Sequence, residues 1–227
     1  MLGGGVRATR LSRSVSRTKQ MIHNLDELVA DFAVGIKNAD SRHPQAVNVR
    51  SKEPFQPGIG PHSEAQTVEL VMTELAALKA STYASSFELG VPYPEASRQK
   101  CDLCLGRPGS WEWAVEIKKL RILGDNGKAN DNILMHIFSP YPAHRSALTD
   151  CSKLASTKLA THRGILIYGY DADEWPLDLA IEAFEVLAAR RVHLGPRQRA
   201  TFSGLIHPVH ASGQVYAWEI ENSQRDG

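Results

Sequence analysis

Cysteine is scarce, with three in 227 residues, an odd number. That excludes a disulfide-built framework and suits a reducing compartment, so a cytoplasmic protein is expected. No apolar run approaches the roughly 20 residues a membrane-spanning helix needs, and no secretory apolar core is present. Strong net charge is missing as well, with 26 Lys and Arg against 25 Asp and Glu. A polyanion would therefore have to be met by a local basic surface. Acid is absent from the first twenty residues, which carry Arg7, Arg10, Arg13, Arg17 and Lys19. Transit peptides and phosphate-touching arms share that composition. Residues 1–20 read as a basic, disordered leader or an over-extended start, with Met21 opening the folded part. The remaining stretch, 21–227, shows no internal repeat and is long enough for one well-buried domain.

What is present alternates between helical and strand-like segments. Ile22, Leu25, Leu28, Val29, Phe32 and Ile36 recur at helical spacing. After the breaker "EPFQPGIGP", a second helix, "HSEAQTVELVMTELAALKAS", carries Val68, Val71, Leu75 and Leu78 in one stripe. Strand-like "SSFELGV", "QKCDLCL" and "WEWAVEIKKLRI" follow, then a helix around "SALTDCSKLASTKLA" and a buried strand, "GILIYGY". The helix "LDLAIEAFEVLAARRV" and strand-like "TFSGLIHPV" and "QVYAWEI" complete the chain. This order predicts an α/β protein with a central mixed β-sheet flanked by helices.

Residues 101–122, "CDLCLGRPGSWEWAVEIKKLRI", admit two chemistries. Cys101 and Cys104, with His62 and Glu64 upstream, resemble the H-x-E and P-C-x-x-C of zinc-dependent nucleobase deaminases. Against this, Lys100 stands in the place of the Pro, and Gly106-Arg107-Pro108-Gly109 would break the helix that the Cys pair should open. Strand alternation would also send Cys101 and Cys104 to opposite faces. His207-Pro208-Val209-His210 has no ligand-type neighbours in a recognised pattern and reads as surface or core histidine.

The second chemistry needs carboxylates. A hairpin turning at Arg107-Pro108-Gly109 puts Asp102 opposite Glu116, each seven residues from Gly109. Like charges facing across strands are destabilising unless something such as a divalent cation compensates. Glu116 and Lys118 share parity, while Trp111, Trp113, Val115 and Ile117 line the other face. An exposed strand edge with alternating charge would show the same pattern. Glu64 continues the stripe of Val68, Val71 and Leu75, which aims a third acid at the sheet. Taken alone, Glu64 would serve as a helix-dipole partner.

Asp102, Glu116-Ile117-Lys118 and Glu64 together resemble the PD-(D/E)XK nuclease superfamily, the restriction-endonuclease-like fold. The element order agrees over roughly residues 55–170, with a further helix and strands in 171–227, and Cys101 replaces the nominal Pro. The resemblance implies a metal-dependent nuclease, in its most specific form a DNA endonuclease, with DNA favoured over RNA. Mg²⁺, replaceable by Mn²⁺, would be held by Asp102, Glu116, Glu64 and the Ile117 carbonyl. Lys118 would orient or deprotonate the attacking water. Lys100, Arg107, Lys119 and Arg121 would meet the phosphate backbone. The basic stretch of Arg190, Arg191, Arg197 and Arg199 offers a second nucleic-acid edge, although a helix C-terminal dipole accounts for the first two. Lys153 is a further phosphate-contact candidate, although an ordinary surface lysine accounts for it better. A homodimer suits cutting both strands of a duplex, and no membrane partner is expected. The zinc deaminase and a non-catalytic nucleic-acid-binding protein of the same fold are the alternatives.

Overall fold

The computed structural model describes residues 24–130 and 132–221, without the side chain of Ser97. The basic leader, Met21 and Ile22 lie outside the described residues. Helix α1 (Leu25–Ser41) starts where the Asn24 side chain accepts from the Glu27 N–H, satisfying a donor the first turn leaves open. Helix α2 (Glu64–Leu78) begins at a capping box between Ser63 and Gln66. Val68, Val71 and Leu75 are buried as their phase predicts, but Leu78 is 53% exposed because the helix ends there. A short helix, α3 (Ala80–Tyr83), leads into the hairpin strands β1 (Phe87–Tyr93), β2 (Ala96–Arg107) and β3 (Ser110–Leu120). A π-helical turn (Leu134–Phe138) and a 3-10 turn (Pro142–His144) precede helix α4 (Ala147–Ser156). Then come β4 (Ala160–Tyr170), α5 (Leu177–Ala188), β5 (His193–Leu194), β6 (Gln198–Ser203) and β7 (Ser212–Glu221).

Among the described residues these strands form one seven-stranded mixed sheet in the order β1-β2-β3-β4-β7-β5, with β6 also on β7. Strands β3 and β4 run parallel, joined by the α4 crossover, and the other pairs are antiparallel. Helices α1 and α2 cover one core with Leu103, Trp113, Val115 and Ile117. Helices α4 and α5 cover the other with Cys151, Ile165, Phe184 and Trp218. The central mixed sheet flanked by helices is the architecture that the element order predicts. No described helix is long and apolar enough to cross a membrane. "TFSGLIHPV" is only partly strand: β6 stops at Ser203, and Gly204 at φ +76° turns the chain into a loop. His207 and His210 are each 1% exposed in that loop.

The β2–β3 hairpin carries a bulge. Arg107 pairs with Ser110 and Gly106 with Trp111, but Leu105 pairs with Trp113, leaving Glu112 as the extra residue. Gly106 sits at φ +120°, where a Cβ would lie 2.7 Å from the Glu112 nitrogen, so glycine is required. The extra residue shifts Leu103 opposite Val115 and so brings Asp102 into phase with Glu116. It also corrects the simple alternation, because Trp111 joins the α4–α5 core while Trp113 joins the other.

A second slip overturns the parity argument about the cysteines. Cys101 and Cys104 are both fully buried in the α4–α5 core, although Leu103 between them faces α1 and α2. The pleat changes phase at Asp102, across from Gly90, whose φ of +68° interrupts β1 between the pairs Leu89–Leu103 and Val91–Cys101.

Candidate active site

Pairing of β2 with β3 stops at Leu103 and Val115, while β3 continues along β4 to Leu120. The flank of β3 that β2 abandons presents backbone groups that must find partners inside the protein. Side chains supply them. Asp102 Oδ2 accepts from the Ile117 N–H at 2.8 Å, and Glu64 Oε2 accepts from the Lys119 N–H at 2.6 Å. Lys118 Nζ donates to the Ile117 carbonyl at 2.9 Å. The opening between the strands is thus closed by three residues of the motif.

Lys118 is the hub. Its Nζ lies 3.3 Å from Glu64 Oε1, 3.7 Å from Asp102 Oδ2 and 2.9 Å from Asp150 Oδ2. Glu64 comes from the α2 side of the sheet and Asp150 from the first turn of α4, on the other side. One turn further along α4, Lys153 Nζ bridges Asp150 Oδ1 at 2.9 Å and Glu116 Oε1 at 2.7 Å. The Tyr93 hydroxyl donates to Glu116 Oε1 at 2.5 Å. Glu64 and Asp102 therefore share a lysine directly, and Glu116 joins them through Lys153 and Asp150. The surface role expected for Lys153 is replaced by a half-buried bridge, its side chain 22% exposed.

Four carboxylates face two ammonium groups, and the pKa values respond. Burial, then the neighbouring charges of Asp150 and Asp102, pushes the Glu116 carboxyl well above its usual range. Burial also raises Glu64, against the pull of Lys118. Burial alone would lower the Lys118 ammonium, but Glu64, Asp150, Asp102 and Glu116 lift it well above the ordinary lysine value. In this arrangement Lys118 is a positive charge surrounded by acids.

The donor set suits a hard divalent cation: carboxylate oxygens of Asp102, Glu116, Glu64 and Asp150, with the Ile117 carbonyl beside them. Asp150 Oδ2 is buried without a directed hydrogen bond, despite lying 2.9 Å from Lys118 Nζ. Among the described residues no three His, Cys, Asp or Glu side chains stand in ion-holding geometry, and here the two lysines lie between the acids. A cavity of about 400 Å³ opens beside Glu64, Glu69, Leu89 and Asp102. Another of about 230 Å³ adjoins Glu64, Lys119, Arg121 and His136.

The other named residues are placed as follows. Lys119 Nζ donates to the Gly60 and His62 carbonyls at 2.5 and 2.9 Å, and burial together with Arg121 brings its pKa down to about 7. Arg121 holds Asp125 and the Gly60 carbonyl. Lys100 and Arg107 are exposed on β2, Arg107 at the hairpin tip. Arg197 grips Glu185 through two hydrogen bonds, and Arg199 reaches Asp178 at 3.4 Å. Arg190 and Arg191 are exposed just past α5. His62 is 8% exposed and tied to Lys119 through its backbone; His210 pairs with Asp125 at 3.1 Å and stacks on His207.

Asp150 and Tyr93 escaped the sequence reading. Asp150 had a legible signal, since it lies three residues after Ala147 and four before Leu154 on the buried stripe of α4. No family model, no curated protein and no solved structure matches the chain.

Proposed function

We propose that the chain is a metal-dependent phosphodiesterase acting on nucleic acid, in its most specific form a DNA endonuclease of the PD-(D/E)XK kind. The observation that carries this reading is the surplus of acid where β2 leaves β3. Closing a strand edge needs one acceptor per N–H, and Asp102 and Glu64 provide them. Glu116 and Asp150 accept from no backbone N–H among the described residues, yet are 2% and 3% exposed. Glu116 is held instead by Lys153 and Tyr93, and Asp150 by Lys118 and Lys153. Buried, closely grouped carboxylates that no described backbone group requires are the kind found at functional sites.

A Mg²⁺ ion held among Asp102, Glu116, Asp150 and the Ile117 carbonyl, with Glu64 alongside, would supply Lewis acidity and offset the charge of a phosphodiester. The chain's own groups do the rest. Lys118 would direct positive charge and hydrogen bonds at a phosphoryl oxygen. Glu64, with a third of its side chain exposed, borders both cavities and can accept a hydrogen bond from an entering water. Lys153 and Tyr93 orient Glu116.

The test is plasmid digestion with and without Mg²⁺, comparing wild type with Asp102→Asn and Lys118→Ala. Cutting should require the metal and disappear in both variants, with circular dichroism unchanged. Cutting that survives either substitution removes that residue from the site. Wild-type protein that binds DNA but never nicks it under Mg²⁺ or Mn²⁺ would indicate a binding module instead.

A further inference from the structure

We propose that a cavity on the α4 side of the acid cluster is a phosphate-binding subsite built on Arg145 and Arg191. Its role as the seat of the phosphodiester beside the one cut rests on the nuclease reading. The cavity measures about 210 Å³, and its polar lining includes Gln99, Arg145, Asp150, Lys153 and Arg191.

The cations around the site differ in what already holds them. Lys118 and Lys153 are engaged by carboxylates, Lys119 by two carbonyls, and Arg121 by Asp125 and the Gly60 carbonyl. Arg197 and Arg199 are engaged by Glu185 and Asp178. The guanidinium groups of Arg145 and Arg191 have no ion pair or hydrogen bond among the described residues, and both line this cavity. Its one carboxylate, Asp150, contacts Lys118 and Lys153 rather than either arginine. The two arginines therefore bring guanidinium donors that no carboxylate in contact occupies, and Gln99 adds neutral donors.

The backbone at Arg145 is also constrained. It sits at φ +49°, a left-handed conformation that non-glycine residues populate sparsely. Pro140 and Pro142 stiffen the approach. The Ser139 hydroxyl bonds His144 Nδ1 at 2.7 Å, and Ser146, which caps α4, bonds the Ser139 carbonyl at 2.5 Å. Two guanidinium groups lining one cavity match a tetrahedral oxyanion, which accepts paired N–H donors. The cavity shares Asp150 and Lys153 with the acid cluster, so an anion seated there lies next to the proposed reaction centre.

The experiment is calorimetric titration of the full chain with inorganic pyrophosphate in chelator, on wild type, Arg145→Ala/Arg191→Ala, and, as a control, Arg42→Ala, an exposed arginine paired with Glu74 and outside this cavity. The double variant should bind about ten-fold or more weakly and the control should match wild type. Arg145→Lys/Arg191→Lys, which keeps charge but not the fork, should fall between them. Equal binding by wild type and double variant, or none by wild type at millimolar pyrophosphate, overturns the subsite. Oligonucleotide cleavage separates the two proposals. Arginine-dependent pyrophosphate binding without any cleavage keeps the subsite and removes the nuclease. Cleavage with unchanged KM and salt dependence in the double variant keeps the nuclease and removes the subsite.

Discussion

Asp150 Oδ2 lies 2.9 Å from Lys118 Nζ, which makes α4 a structural partner of the motif strand rather than a distant crossover. Because the acids outnumber the lysines, the two halves of this pair are not equivalent. Asp150→Asn leaves Lys118 with Glu64 and Asp102, and Lys153 with Glu116, so unfolding free energy should fall by no more than ~1–2 kcal/mol. Lys118→Met strands buried Asp150 and half-buried Glu64 and Asp102, and should cost about 3–5 kcal/mol. Both should lose cleavage by about 100-fold or more. Urea unfolding beside a cleavage assay reads both quantities, and equal stability losses would contradict the charge surplus.

Glu64 has a structural duty separable from the chemical one proposed for it. Glu64→Ala leaves the Lys119 N–H without its acceptor and should cost about 1–3 kcal/mol. Glu64→Gln keeps an acceptor oxygen and should stay within ~1 kcal/mol of wild type while cleavage drops. Similar stabilities for the two variants would mean that the carboxylate does not close the strand edge.

Metal should stabilise the fold. A cation that binds the folded protein at a hundred times its Kd adds about 2.7 kcal/mol, or roughly 5–10 °C in Tm for a chain of this size. Millimolar Mg²⁺ should raise the wild-type Tm by several degrees and chelator should reverse it, with Asp150→Asn and Asp102→Asn showing little response. A wild-type Tm indifferent to Mg²⁺ and Mn²⁺ would count against the cation site.

Acid should weaken the fold through its histidines. Burial is the first cause lowering the pKa values of His62, His207 and His210. The unfolded chain takes up protons near pH ~6.5 that the folded protein refuses. Stability is therefore complete above that pH and is lost as pH falls toward the folded values. Glu64 and Glu116 act oppositely, because their raised carboxyls bind protons more readily when folded. The histidine share is the difference between wild type and His207→Gln/His210→Gln. The double variant should lose less stability than wild type between pH 7.5 and 5.5, and parallel losses would show that these rings are not held neutral.

Strand and helix periodicity made the sheet and its flanking helices legible, and the hairpin spacing put Asp102 and Glu116 in phase. That phase is reached through the Glu112 bulge rather than a symmetric turn, a detail that requires reading Gly106 as a left-handed residue. The cysteines were misplaced because alternation assumes an unbroken pleat, and Gly90 breaks it from the neighbouring strand. The phase argument that found Glu64 would also have found Asp150 on α4. Lys153 was not accessible this way, since its partner, Glu116, is brought to it only by packing of the helix on the sheet.

The strand edge closed by Asp102 and Glu64 has an evolutionary consequence. A homologue without turnover would still be selected to keep a side-chain oxygen acceptor at both positions, Asp or Asn at 102 and Glu or Gln at 64. Retention of these two positions in homologues would thus trace foldability. Live catalysis would be better judged at Glu116 and Asp150, which no described amide requires.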